Sequence, residues 1–241
     1  MTSSQSPATP RIRAPYAMRL IRSAAEQEAA AALVEARLRW LAGRSLPLPA
    51  SGDIPALYFD DQADRVGLYE DDVLAGCLIL DPEPDFARWG SDGLRPGLLL
   101  THLYAAPGRS DGIGRLITLW ATDYAARHGL PCVRTEALIW HLPDTDPHAR
   151  YRAHLCAMSR NDRSRPAPFH DHTDDGERFL CRLCLTGWEI RSTGSDATGE
   201  RLVARLEAPA QALPRLSALL TCTLPPAPAA HTMSLSGADR D

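Results

Sequence analysis

The pattern of apolar and polar positions predicts alternating strands and two main helices. Apolar residues at helical spacing, with no glycine or proline inside, predict a helix over residues 24–41. A second helix is predicted over 112–128, ending at Gly129. Apolar runs predict strands at residues 18–22, 65–70, 73–80, 97–104, 130–138, 188–192 and 200–207. This order predicts an α/β (α+β) fold, with helices flanking a mixed central sheet.

Polar and proline-rich stretches divide the chain into one domain and its extensions. Residues 1–17 are expected to form a disordered extension, or to be upstream sequence before a start at Met18. Residues 18–208 are expected to form the domain, with an insertion at about 139–176 rich in His, Asp, Arg and Pro. Residues 209–241 are rich in alanine and proline, so we expect a mostly disordered tail. Further helices are predicted at 146–159 and 177–186.

Charge and composition narrow the set of partners. The net charge of the 241-residue chain is −4 and its pI is about 6.1, so nucleic acid is not favoured as a partner. No apolar run is long enough to span a membrane, and no secretory signal is expected, so we expect a cytoplasmic protein with no membrane partner. All basic residues are arginine, which excludes mechanisms that need a lysine. Arginine must then supply any phosphate contacts.

The cysteines leave two interpretations open. A Cys-x-x-Cys pair precedes Gly187-Trp188, and other cysteines and histidines lie upstream of it. Such residues are zinc ligands in many proteins, but this pair lies within a predicted amphipathic helix and no second pair is present. We therefore favour packing over a metal and expect no metal cofactor. The candidate ligands for the alternative are Cys156, Cys181 and Cys184 with His154, His170 or His172.

A glycine-rich turn between a strand and a helix is the most informative motif. It reads Arg109-Ser-Asp-Gly112-Ile-Gly114, and Arg115 follows it at the start of the predicted helix. The first N–H groups of a helix are unpaired and carry partial positive charge, so the turn is a candidate pyrophosphate cradle. Arg109 and Arg115 flank it and can add charge-assisted hydrogen bonds. The simpler alternative is a turn that contains glycine for its backbone geometry alone.

This motif and its surroundings resemble the GNAT superfamily of acyl-CoA N-acyltransferases. That family carries Arg/Gln-x-x-Gly-x-Gly/Ala between its fourth strand and third helix, and residues 109–114 match it. Leu100-x-x-Leu103 through Pro107 resembles the family's preceding strand, and Gly187-Trp188 resembles the Gly-Phe that opens a later strand. The resemblance covers roughly residues 18–209. It implies a GNAT-like fold, acetyl-CoA or another acyl-CoA as donor cosubstrate, and an amine acceptor.

The resemblance also implies which residues hold the cosubstrate. The pyrophosphate would lie on the amides of Ser110, Asp111, Gly112, Ile113 and Gly114. The pantetheine arm would pair with the backbone of Leu103, Tyr104 and Ala105 like an added strand. The acceptor, a small molecule or a peptide, is not identified by the sequence. The stretch 160–176 is expected on the acceptor side, and a homodimer is a further expectation for the assembly.

Candidate catalytic groups follow from the needs of acyl transfer to an amine. Glu136, a carboxylate in an otherwise apolar strand, is the candidate base; the alternative is a structural pair with an arginine. His102 is interpreted as a packed histidine, because the family's register directs Thr101 to the reacting centre. The tyrosine that usually protonates the thiolate is replaced by Leu183, so Tyr151 is the candidate acid. The alternative function is a non-catalytic acyl-CoA-binding module.

Overall fold

The computed structural model describes most of the predicted domain. The described residues are 14–44, 48–49, 52–60, 64–81, 89, 95–108, 112–139, 187–195 and 202–224. They form β1 (Tyr16–Leu20), α1 (Ala24–Ala42), a 3-10 turn (Pro55–Phe59), β2 (Asp64–Glu70), β3 (Val73–Asp81), β4 (Leu98–Ala105), α2 (Gly112–Arg127), β5 (Cys132–Ile139), β6 (Glu189–Ser195), β7 (Leu202–Pro209), a second 3-10 turn (Pro214–Ala218) and β8 (Leu220–Cys222).

The strands form a single mixed sheet of eight, in the order β6-β7-β5-β4-β3-β2-β1-β8. The β4–β5 and β1–β8 pairs are parallel, and the other neighbours are antiparallel. The crossover between the parallel strands β4 and β5 passes through α2, as parallel pairing requires. The predicted α/β fold with a mixed central sheet and flanking helices is confirmed.

Local sequence signals set the element boundaries. Helix α1 begins with a capping box, in which the Ser23 hydroxyl accepts from the Glu26 backbone N–H and the Glu26 carboxylate accepts from the Ser23 N–H. Asp71 and Asp72 join β2 to β3 with φ angles of 47° and 67°, a backbone geometry that matches the right-handed twist of a hairpin. The seven predicted strands and the helices predicted at 24–41 and 112–128 therefore appear within a few residues of their expected bounds. The helices predicted at 146–159 and 177–186, and the insertion at about 139–176 beyond Ile139, lie outside the described residues.

The two helices pack on opposite faces of the sheet. On the α1 face, Val34 and Leu33 of α1 pack with Cys77, Ile79 and Tyr104. The larger cluster, on the α2 face, contains apolar residues of both α2 and the strands: Ile113, Ile117, Trp120, Leu78, Leu100, Val133 and Leu206. Side chains that alternate along β4 and β5 can therefore be assigned to one face or the other.

The C-terminal segment corrects the predicted domain boundary at residue 208. Residues 210–224 cross over α2, where the Leu213 N–H donates to the buried Asp123 carboxylate at 2.7 Å, and β8 then pairs with the edge strand β1. Leu216 and Leu220 enter the core, which explains the ordering of a segment that composition alone assigned to the disordered tail. At the other end, β1 already begins at Tyr16, within the predicted N-terminal extension. Residues 225–241 lie outside the described part.

Candidate functional site

Strands β4 and β5 separate along their length and leave a gap in the sheet. Their parallel pairing joins Leu98–Leu100 to Val133–Thr135. Beyond it, β4 continues to Ala105 and β5 to Ile139 with no pairing between them in the described register. Backbone groups on the facing edges of the two strands are thus available to an extended ligand.

A β-bulge in β4 lies where the gap begins. Thr101 pairs with Ile79 and Tyr104 with Cys77, so His102 and Leu103 both lie opposite Leu78. His102 has a φ of 48°, and its carbonyl accepts a hydrogen bond from the Tyr58 hydroxyl at 2.9 Å. Such an inserted residue bends a strand and re-aims the side chains that follow it.

The bulge changes the face to which the later β4 side chains belong. Leu98 and Leu100 pack on the α2 face, and so do Leu103 and Ala105, which are an odd number of residues further on. Tyr104 packs on the α1 face. His102 is half-buried, and this desolvation lowers its pKa, so the ring is neutral at neutral pH. The Thr101 hydroxyl donates to the Ile79 carbonyl, so in this structure it stabilises the pairing of β4 with β3.

The N-terminus of α2 lies beside the open end of β4. Ile113 of α2 packs against Gly76, because a Cβ at Gly76 would lie only 3.0 Å from the Ile113 Cγ2. Gly76 in turn pairs with Ala105, the last residue of β4. Gly112 is exposed, and apart from its chain neighbours and the backbone of its own helix, no heavy atom of the described residues lies within 4 Å of where its Cβ would stand. The first amides of α2, at residues 112–115, therefore adjoin the gap with free space beside them. Arg109, Ser110 and Asp111 lie outside the described residues.

A ladder of opposite charges joins β5 to β7 on the α1 face. Arg205 Nε donates to Glu136 Oε1 at 3.0 Å, and Arg134 Nε donates to Glu207 Oε2 at 2.9 Å. Both strands carry Arg-x-Glu, at 134–136 and 205–207, and their antiparallel register places each arginine opposite the other strand's glutamate. We call these four residues the charge ladder.

Within the charge ladder, the Arg134–Glu207 pair is more buried than the Arg205–Glu136 pair. Arg134 and Glu207 are almost fully buried, and Glu207 also accepts from Arg95 at 2.5 Å and from Arg191 at 3.0 Å. Burial by itself raises the pKa of Glu207, but the hydrogen bond and charge of Arg134, reinforced by Arg95 and Arg191, outweigh it and hold that pKa below its usual value. Glu207 is therefore a charged, structural carboxylate.

The other pair of the charge ladder, Glu136 with Arg205, includes the β5 residue at which the gap begins. Glu136 follows Thr135, the last β5 residue paired with β4, and it lies on the face opposite Val133 and Ala137, which pack toward α2. Its surroundings are not the apolar ones that the strand pattern suggested, because the partner Arg205 reaches across from β7. The structure thus places Glu136 on the strand that borders the gap, one residue beyond the last β4–β5 pair. Tyr151 and Leu183 lie outside the described residues.

Arg205 is the functional candidate that sequence reasoning missed. Its guanidinium group is buried, bonded to Glu136, and also donates from NH2 to the Ser195 carbonyl at 2.9 Å. The signal was present in the sequence as the repeated Arg-x-Glu. The repeat indicates an ion pair only once β5 and β7 are known to be neighbours, because a single Arg-x-Glu in a strand does not show which strand lies beside it.

Other features of the described residues lie apart from the gap. A surface cavity of about 470 Å³ is lined only by residues of α1 and of the 53–59 stretch. In this part of the chain, no group of three or more His, Cys, Asp or Glu forms a metal site, and the candidate ligands at 154, 156, 170, 172, 181 and 184 lie outside it. No helix in the described ranges combines the length and apolar character of a membrane span.

Comparison with known proteins gives matches among solved structures. No family model matches the chain, and no curated protein does. An aminoglycoside 6'-N-acetyltransferase from Enterococcus faecium is 16% identical over 83% of this chain and 98% of its own, with a TM-score of 0.47. The ribosomal-protein-S18-alanine N-acetyltransferase from Escherichia coli is 9% identical over 81% and 94%, with a TM-score of 0.46.

A GNAT-family acetyltransferase from Listeria monocytogenes is 12% identical over 82% of this chain and 98% of its own, with a TM-score of 0.46. Identities and TM-scores at this level concern the overall fold and do not indicate activity or substrate. In overall architecture, the chain is similar to GNAT-family N-acetyltransferases of known structure.

Proposed function

We propose that this protein is an N-acyltransferase that transfers an acetyl group from acetyl-CoA to an amine. The observation that carries the proposal is the gap between β4 and β5, which opens beside the N-terminal amides of α2. An acyl-CoA has both groups that such a site accepts: a pyrophosphate for helix amides and an extended amide-containing arm for a strand edge. The matching Arg-x-x-Gly-x-Gly sequence at 109–114 supports the same ligand.

Residues of two elements would hold the cosubstrate. The amides of residues 110–114 would bind the pyrophosphate, and Arg109 and Arg115 would add charge-assisted hydrogen bonds. The backbone of Leu103, Tyr104 and Ala105 would pair with the pantetheine arm along the gap. Gly112 would let the phosphates approach the helix, since nothing in the described structure occupies the space beside it.

The chemistry needs a proton acceptor near the far side of the gap, where Glu136 lies. Glu136 would take a proton from the acceptor's ammonium group, directly or through water. The free amine nitrogen then forms a bond to the thioester carbonyl carbon as the carbon–sulfur bond breaks. A backbone N–H near Tyr104 or Ala105 would stabilise the developing oxyanion. The nitrogen then loses its second proton to give the amide, and the departing thiolate would take a proton from Tyr151 or from water to give CoASH; the nitrogen's proton would replace the one that this acid gives up.

Isothermal titration with acetyl-CoA tests the binding half of the proposal. Gly112→Trp should abolish binding, because the side chain would fill the space beside the amides. Gly43→Trp is the matched control: Gly43 is also exposed, has a φ of −63°, and lies at the end of α1. Absence of binding by the unmodified protein would refute the proposal.

Release of CoASH across a panel of amines tests the catalytic half. Glu136→Gln should lower kcat by about a hundredfold, the usual contribution of a general base, with acetyl-CoA affinity unchanged. Binding of acetyl-CoA without CoASH release for any amine would favour the non-catalytic module, which the Glu136–Arg205 pair and the Leu183 position also fit. We further propose a cytoplasmic setting, supported by the free thiols of Cys77, Cys132 and Cys222.

A further inference from the structure

The α1 face of the sheet, on the β5 side of the gap, is rich in guanidinium groups. On the α1 face of β5, β6 and β7 and the adjoining Arg95, the described ion pairs join four arginines to three glutamates. The members are Arg95, Arg134, Arg191 and Arg205, with Glu136, Glu189 and Glu207. Within these described pairs, the arginines outnumber the glutamates by one. A face of this kind favours a ligand that brings a negative group.

Arg205 is the arginine of this set that pairs with the candidate base, Glu136, on the strand that borders the gap. It is buried, and its orientation is fixed by the Glu136 carboxylate on Nε and by the Ser195 carbonyl on NH2. NH1 makes no hydrogen bond to the described residues and lies over Gly194, where an added Cβ would approach it to 3.1 Å. Among the described residues, NH1 therefore has no hydrogen-bond acceptor, while Nε of the same group meets the candidate base.

We infer that Arg205 determines acceptor specificity by binding a carboxylate, so that the acceptor is a free amino acid or a compound with a carboxylate close to its amine. This inference rests on the proposed N-acyltransferase function. In the charge ladder, Arg205 Nε and Glu136 Oε1 bring opposite charges to 3.0 Å from each other. An amino acid carries the complementary pair: its ammonium group meets Glu136 and its carboxylate meets Arg205, whose planar fork suits bidentate binding of a carboxylate.

The alternative acceptor is a plain amine, which would leave the guanidinium group without a new partner. Such an amine could use only Glu136, and binding it there would compete with the existing Arg205 pair. An amino acid exchanges one carboxylate for another on Arg205 and so keeps the buried guanidinium group neutralised. The structure therefore favours acceptors that carry both charges.

A comparison of matched acceptors tests the inference. CoASH release is measured for the standard L-amino acids and for the carboxamide of each, which keeps the amine and removes the carboxylate charge. We expect kcat/KM to be higher for the best amino acid than for its carboxamide by about tenfold or more. Arg205→Gln should reduce that ratio to near one, mainly by raising KM, whereas Glu136→Gln should lower kcat for both acceptors.

Three controls separate specificity from folding and from cosubstrate binding. Arg191→Gln removes a guanidinium group from the same face that pairs only with Glu189 and Glu207 in the described residues, and it should leave the ratio unchanged. Arg205→Lys keeps the charge without the planar fork and should retain part of the preference. Acetyl-CoA titration and thermal melting of each variant show that it is folded and binds the donor.

Each outcome decides the inference. Equal kcat/KM for amino acids and carboxamides in the unmodified protein overturns it, as does a preference that survives in a folded Arg205→Gln variant. If acetyl-CoA binds but no carboxylate-bearing amine is turned over, the acceptor inference fails while acyl-CoA binding stands. If acetyl-CoA does not bind, the proposed function itself fails.

Discussion

Replacing Glu207 with glutamine probes the most buried charge interaction in the described structure. The substitution keeps the shape of the side chain but removes the charge that three arginines share. Arg134 is fully buried, while the side chains of Arg95 and Arg191 are 50% and 35% exposed. The variant therefore removes the carboxylate that the buried Arg134 guanidinium group meets at Nε.

The magnitude follows from these burials. Breaking a buried pair by removing one partner costs about 3–5 kcal/mol, whereas partly exposed pairs contribute about 1 kcal/mol or less. Glutamine still accepts a hydrogen bond, so we expect the free energy of unfolding to fall by about 3 kcal/mol. For a domain of this size, that corresponds to a fall in Tm of about 6–12 °C.

The assay is urea unfolding followed by tryptophan fluorescence at pH 7 and at lower pH. Because the pKa of Glu207 is held below its usual 4.5, its stabilising contribution is fully present above that value and is lost as the pH falls through the folded-state pKa. The difference between the unmodified protein and Glu207→Gln should therefore be largest at neutral pH and shrink below about pH 4.5.

Glu189→Gln serves as the control, since the Glu189 side chain is 61% exposed and its pair with Arg191 should contribute under about 0.5 kcal/mol. A loss below about 1 kcal/mol for Glu207→Gln at pH 7, or a difference that does not change with pH, would refute the reasoning.

Three further substitutions test packing and the site. Gly112→Ala should raise the free energy of unfolding by about 0.4–1 kcal/mol, because the helical backbone suits alanine and the space is open. The same change should weaken acetyl-CoA affinity, so thermal melting should show a gain in stability while titration shows a loss of binding. Gly67→Ala should cost about 1–3 kcal/mol in urea unfolding, since its Cβ would lie 2.6 Å from the Tyr69 ring; an unchanged midpoint would contradict this. Asp123→Ala leaves the Leu213 N–H without its acceptor, so it should cost about 1–3 kcal/mol and speed proteolysis after residue 209; equal cleavage rates would argue against the contact.

The candidate site was predicted in part. The glycine turn before α2 could be located from sequence because helix N-termini and glycines have local signatures. Glu136 could be singled out as a carboxylate in an apolar run. Its pairing with Arg205 could not, because the partner lies 69 residues away and meets it only through the β5–β7 register.

The C-terminal segment shows the same limit for the fold. Its alanine and proline content predicted disorder, and local propensity offers nothing against that expectation. In the structure, the segment is ordered by distant groups: the Asp123 carboxylate, the apolar surface of α2, and the open edge of β1. Tertiary contacts override propensity because burial and edge pairing stabilise conformations that the isolated segment would not keep.

The sequence by itself determined strands β1–β7, helices α1 and α2 and the glycine-containing start of α2, because apolar periodicity, capping residues and glycines act over a few neighbouring residues. Only the tertiary structure decided where β4 and β5 part, which carboxylate is shared among three arginines, and which guanidinium group stands beside Glu136. These features depend on strand order, register and one inserted residue at His102. Such choices are made by the collective packing of the sheet, since any one strand is compatible with several partners until its faces are buried.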